Sequence, residues 1–276
     1  MYILYQIAIL SFFLVPKELK YYVKGTKLDT DFEYLVDSVA NLVYATLSIF
    51  IVRYIIERHR QQTFKPLGLQ PNAKTLPDLF FGFLLSGILI SFIYIVGLTF
   101  GWVHFERFVW ETVSIFDIVK RCSMWLLTFV MVGVWEELVA RGYWLHTIEN
   151  NLNLPLGVII SSVLFTVSHL ILSNATWRIA VTVFLIALLL AYSKIRTTQL
   201  WLPIGFHIGW NFFLATIFGF SVSGINRFSL IQNTISGSEW LLGGKFGLED
   251  GLLILTVVPL GGIAVHLWTQ NRARSV

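Results

Sequence analysis

Long apolar runs alternate with short polar ones along this chain. The runs fall at roughly 1 to 15, 34 to 56, 78 to 102, 118 to 146, 155 to 173, 177 to 194, 200 to 220 and 250 to 269. Most approach the ~20 residues that a helix needs to cross a hydrocarbon core about 30 Å thick. A membrane β-barrel would show short segments of alternating polarity. These runs are continuous, so their backbone groups must be satisfied within helices. The pattern predicts an all-α polytopic transmembrane helical bundle of about eight spans. Residues 1–276 form a single membrane domain, and the first run is a short span or an interfacial segment.

Composition points the same way: the 276 residues are 56% hydrophobic and 13% charged, apart from soluble domains in both respects. The first 15 residues lack the basic start and small-residue cleavage site of a secretory signal. Cys122, the one cysteine, has no internal disulfide partner and reads as a small apolar helix residue. The net charge of +4 comes with no long basic run, so no nucleic-acid partner is expected and the charge bears on orientation instead. Arg58 and Arg60, Lys194 and Arg196, and Arg272 and Arg274 fall on one side if every run spans. The positive-inside rule then puts both termini in the cytoplasm, in a plasma (inner) membrane, against the opposing weight of Lys17, Lys20, Lys24 and Lys27. Residues 57 to 77, with Pro66 and Pro71, read as a cytoplasmic linker, and 221 to 249 as a long Ser- and Gly-rich loop on the other side.

Ionisable residues inside the apolar runs change the picture. WLLTFVMVGVWEELVARGYW, from Trp125 to Trp144, carries Glu136, Glu137 and Arg141. Each ionised group near mid-bilayer costs about 2.5 to 3.5 kcal/mol, so three unpaired ones would cost roughly 8 to 10 kcal/mol. Glu137 and Arg141 stand at i and i+4 on one helix face, whereas Glu136 is rotated about 100° away. Glu137 can be neutralised locally and Glu136 cannot. A structural ion-pair network would explain this helix alone. In the next run His169 follows Phe165 by one turn. If the connection lies near 150 to 155, Glu136 and His169 sit at one depth, roughly 21 Å along antiparallel axes. A later run holds His207 and Asn211 at i and i+4, with Gly205 and Gly209 as a small-xxx-small packing pair. Gly97 and Gly101 repeat that pattern and receive a packing role only. His59, His104, His146 and His266 receive none.

Taken in order, EExxxR (Glu136, Glu137, Arg141), FxxxH (Phe165, His169) and HxxxN (His207, Asn211) resemble the motifs of the CAAX protease and bacteriocin-processing family of intramembrane proteases, which includes the type II CAAX prenyl endopeptidases. The resemblance covers roughly residues 118–220, a protease-like core. It implies an eight-helix fold with a polar cavity open to the cytosol and hydrolysis of a peptide bond near the membrane. Glu136 with His169 would activate a water, His207 and Asn211 would donate to the oxyanion, and Arg141 would orient Glu137. His169 and His207 with a glutamate also form a possible zinc set with a position left for water. No HExxH occurs, and the residues make sense without metal, so both readings stand. Absence of GxSG and GxGD motifs disfavours rhomboid-like and presenilin-like chemistry.

The implied partners are the lipid bilayer and a membrane-associated peptide or protein substrate, prenylated or not. Two alternatives compete with an endopeptidase. One is a non-catalytic self-immunity or assembly factor of the same fold. The other is a proton-coupled transporter, whose path Asp37 and Asn41 would extend.

Overall fold

The computed structural model describes residues 67–270 apart from Ser173 and 225–227, with scattered helical positions between 39 and 54. The first predicted span, most of the second, the lysines between them, Asp37, Asn41, His59, Arg58, Arg60, Arg272 and Arg274 lie outside the described residues. So does the orientation that rested on them.

Helix α1 (Thr75–Thr99) is followed by strand β1 (Val103–Phe108) and helix α2 (Ile115–Glu137). A π-helical stretch over Leu138–Leu145 carries α2 into α3 (His146–Asn151). Helices α4 (Leu154–Leu170), α5 (Arg178–Thr197) and α6 (Trp201–Asn211) come next, and α6 passes into a second π-helical stretch, Phe212–Ile217. Strand β2 (Ile231–Ile235), the short α7 (Glu239–Leu242), two 3₁₀ turns (Leu248–Asp250 and Leu252–Thr256) and α8 (Val257–Thr269) complete it.

Local signals set several boundaries. The Ser114 hydroxyl accepts the Asp117 N–H at 3.2 Å and starts α2, and Asn153 does the same for Leu156 N–H at 2.9 Å ahead of Pro155 in α4. The chain leaves α5 through Thr198 at φ 56°. Gly101, at φ 67° just past the end of α1, makes the turn into β1. It is not half of a helix-packing pair, because a helix cannot continue through the left-handed region.

Polarity in α1 is inverted relative to a soluble helix. Leu76, Phe80, Leu84 and Ile88 are exposed at one-turn intervals, while Asp78 and Ser86 are buried, as a lipid-facing helix requires. The α1–α6 contact is the most extensive between helices among the described residues. A Cβ on Gly205 would run into the Leu79 backbone carbonyl, and one on Gly209 into Phe83. The small-xxx-small pair therefore does what its spacing predicts and lets two backbones touch.

The eight-span expectation is met in part. The described chain is mostly helical, but only Thr75–Thr99, Arg178–Thr197 and Leu252–Thr269 have both the length and the apolarity to cross a membrane unaided. Helix α4 is apolar but has 17 residues, and the 23 residues of α2 carry Asp117, Lys120 and Arg121 at one end and both glutamates at the other. The all-α expectation needs a correction. β1 and β2 form a two-stranded antiparallel sheet, Val103 against Ile235 and Phe108 against Ile231, with a bulge at Glu106. Nor is 221 to 249 a free loop. Val222, Leu242, Phe246 and Leu248 are buried, and the segment folds back onto the bundle.

Candidate active site

Three helices, the first continued by its π-helical stretch, carry the motif residues. Glu136 and Glu137 end α2, Arg141 sits in the π-helical stretch, His169 lies one residue from the end of α4, and His207 and Asn211 are on α6. All six are buried. Both π-helical stretches begin where a motif helix has just presented its side chains. Such register changes recur at functional sites because they re-aim the following side chains without ending the helix.

Arg141 Nη1 donates to Glu137 Oε1 at 2.7 Å, the i to i+4 pairing expected from the sequence. Its Nη2 donates to the Ala187 carbonyl at 3.3 Å, and its guanidinium lies 4.2 Å from the Phe165 ring centroid. The positive charge is thus held by a carboxylate, a backbone dipole and a π face at once. Phe165 in turn packs on His169 with ring centroids 4.6 Å apart.

His207 joins the two glutamates, a connection the sequence does not reveal. Its Nδ1 meets Glu137 Oε1 at 2.8 Å, and its Nε2 faces Glu136 Oε2 at 3.8 Å. His169 has the same polarity: Nδ1 meets the Phe165 carbonyl at 2.8 Å and Nε2 faces Glu136 Oε2 at 4.0 Å. With each Nδ1 against an oxygen acceptor, the neutral tautomer that satisfies it leaves both Nε2 atoms as acceptors toward Glu136. Glu136 Oε2 is buried and accepts no hydrogen bond. Gaps of 3.8 and 4.0 Å are too long for direct hydrogen bonds and suit a bridging water, which would donate one hydrogen to Glu136 Oε2 and the other to a histidine Nε2. The equal depth of Glu136 and His169 expected from residue counting is what the 4.0 Å separation shows.

A cavity of about 30 Å³ adjoins the two histidines, lined by His169, His207, Trp210, Phe165 and Glu249 among others. That is room for roughly two waters. Glu249 is a site residue that sequence reasoning missed. It lies in the 3₁₀ turn Leu248–Asp250 and accepts from Trp210 Nε1 and from Ser223 N–H, each at 3.2 Å. Outside the spanning helices as it is, its carboxyl is pushed up by burial, against those two hydrogen bonds. Beside it, Asp250 holds Arg178 through Oδ2 at 2.6 Å and through its carbonyl at 2.8 Å. The signal available in the sequence was the acidic pair in GLEDG, placed in a segment read as loop.

His169 and His207, with a glutamate, are the donors of the zinc set read from the sequence, and the glutamate that faces both rings is Glu136. As placed, they are not closed into one. Among the described residues no group of three or more His, Cys, Asp or Glu side chains is arranged to hold a metal ion, so no step is assigned to one. His104, His146 and His266 lie away from the site, against Ser236, Asn150 and Tyr192.

No curated protein and no solved structure matches the chain. Residues 118–213 match the family model described as Type II CAAX prenyl endopeptidase Rce1-like, and the resemblance carried by the three motifs holds for that block, which contains every motif residue of the site.

Proposed function

We propose that the protein is a membrane-embedded endopeptidase that hydrolyses a peptide bond near the membrane by a water activated between Glu136 and His169. The observation that carries this reading is Glu136 Oε2, buried and without a hydrogen bond, facing His169 Nε2 at 4.0 Å and His207 Nε2 at 3.8 Å. A buried carboxylate oxygen that faces this gap and accepts nothing else is placed to take a proton from a water held there. A water in that gap loses a proton to Glu136 as its oxygen attacks the scissile carbonyl. The proton then passes to the leaving amine.

His207 has its Nδ1 on Glu137, whose other partner is Arg141. In the neutral tautomer its Nε2 is an acceptor; His207 takes a second proton from solvent before the chemical step, held by the Glu137 and Glu136 carboxylates at its two ring nitrogens, and then donates from Nε2 to the developing oxyanion, joined by the Asn211 amide one turn on. Preorganised donors of this kind lower acyl-transfer barriers by about 3 to 4 kcal/mol each. Glu137 and Arg141 act through His207 and hold its ring. The match to a prenyl endopeptidase family makes prenylated C-terminal tails the first substrate class to try.

The test is cleavage of prenylated and unprenylated C-terminal peptides by detergent-purified protein, beside Glu136→Gln and His169→Ala variants of equal thermal stability. Cleavage by the parent and by neither variant is the expected result. A fully active Glu136→Gln would refute the mechanism. A phenotype that survives both substitutions would favour a binding role, and flux driven by a pH gradient would favour transport.

A further inference from the structure

The buried carboxylates around this site are not equally compensated. Glu137 has Arg141 at 2.7 Å, and Asp250 has Arg178 at 2.6 Å. Glu249 is buried too, yet among the described residues its carboxylate pairs with no lysine or arginine. Its hydrogen bonds come from the neutral N–H groups of Trp210 and Ser223. Its aim is nevertheless fixed, because the Thr182 hydroxyl donates to its carbonyl at 2.5 Å and the Arg178–Asp250 pair clamps the next residue.

Glu249 lines the cavity together with His169 and His207. The Nε2 atoms of those two rings face Glu136, with a side chain 7% exposed and an Oε2 without a hydrogen bond. The cavity is therefore lined by one carboxylate that, among the described residues, has no lysine or arginine partner, and by two histidines that face a second carboxylate. A buried carboxylate without a cation is neutralised by a proton or by a charged partner, and a cation brought by a ligand would supply that partner. The same field turns away a ligand that brings another carboxylate.

We propose that Glu249 is a specificity-determining residue, selecting peptides that bring a lysine or arginine side chain to the mouth of the cavity beside the scissile bond. The proposal rests on the proteolytic reading above. It departs from the family resemblance, because the residue lies beyond the matched block and a prenyl group itself carries no charge.

The experiment uses full-length protein in detergent and one peptide whose cut site has been located by mass spectrometry, remade with Lys, Gln or Glu beside the cut. The parent is expected to prefer the Lys peptide over the Glu peptide by at least tenfold in kcat/KM, mostly through KM. Glu249→Gln is expected to reduce that preference to within threefold, and Glu249→Asp to keep its direction. A purely structural role would lower all three peptides together and leave their ratio alone. Equilibrium binding of the same peptides to Glu136→Gln protein, with and without Glu249→Gln, separates the two readings. If nothing is cleaved but the Lys peptide binds tighter and Glu249→Gln abolishes the difference, proteolysis fails and charge selection stands. No charge preference, or one that Glu249→Gln leaves intact, overturns the proposal.

Discussion

Removing Arg141 should unfold this protein far more readily than removing Glu136, although both are buried charged residues of one motif. Arg141→Ala leaves Glu137 fully buried with one oxygen already lacking a hydrogen bond, and it strips the Ala187 carbonyl and the Phe165 ring of their cation. Breaking a buried pair from one side costs about 3 to 5 kcal/mol. For a chain of this size each kcal/mol lowers the melting temperature by roughly 2 to 4 °C. The expected fall is therefore about 6 to 20 °C. Glu136→Gln should stay within about 2 °C of the parent or rise, since it removes a buried charge whose Oε2 accepts nothing. The double variant Arg141→Met with Glu137→Gln should recover at least half the loss, because no orphaned charge remains and the Gln amide oxygen can still meet His207 Nδ1. Thermal unfolding in detergent, followed by tryptophan fluorescence, measures all four proteins. If Arg141→Ala melts within 3 °C of the parent, or Glu136→Gln falls as far, the division into a structural pair and a working base is wrong.

Other expectations follow from the same geometry. Glu136→Gln should lower kcat by about 10² to 10⁴ if the carboxylate takes the proton; a loss below threefold on a cleaved peptide would exclude that role. His207→Ala should lower kcat by about 10² to 10³, and an effect confined to KM would argue against oxyanion stabilisation. Dialysis of active protein against a chelator should leave cleavage unchanged. Loss of activity restored by added zinc, with metal analysis to match, would mean that His169, His207 and Glu136 close around an ion. Gly205→Ala should destabilise by about 1 to 3 kcal/mol, because its methyl meets the Leu79 carbonyl; an unchanged melting temperature would show that α1 and α6 can separate freely.

Parts of this site were legible because a helix converts sequence spacing into position. The i to i+4 rule found the Glu137–Arg141 pair, and counting residues from the turn before α4 put Glu136 and His169 at one depth. The role of His207 as a link between both glutamates was hidden, since it depends on how α6 is rotated against α2, and spacing within one helix is silent about that. The π-helical stretches left no compositional trace, because they differ from α-helix by the register of their hydrogen bonds. β1 was overlooked for another reason: VHFERF is short and charged, and its pairing partner lies more than 120 residues away. Glu249 and its clamp were lost with it, in a segment whose serines and glycines resemble open loop while its buried Phe246 and Leu248 fold it inward. Among the described residues hydropathy alone did not separate the helices long enough to cross from α4, which is just as apolar but has 17 residues.

The glycine contact between α1 and α6 has a bearing on where the working unit ends. The motif block opens at residue 118, but the helix carrying His207 rests its bare backbone on α1 at Leu79 and Phe83, 39 and 35 residues upstream of that boundary. A fragment cut to the motif block would keep every reactive side chain and lose the wall that sets the pitch of one of them. The outline of similarity and the outline of a foldable machine are different contours on this chain, and an excised core would fail by slackness rather than by missing chemistry.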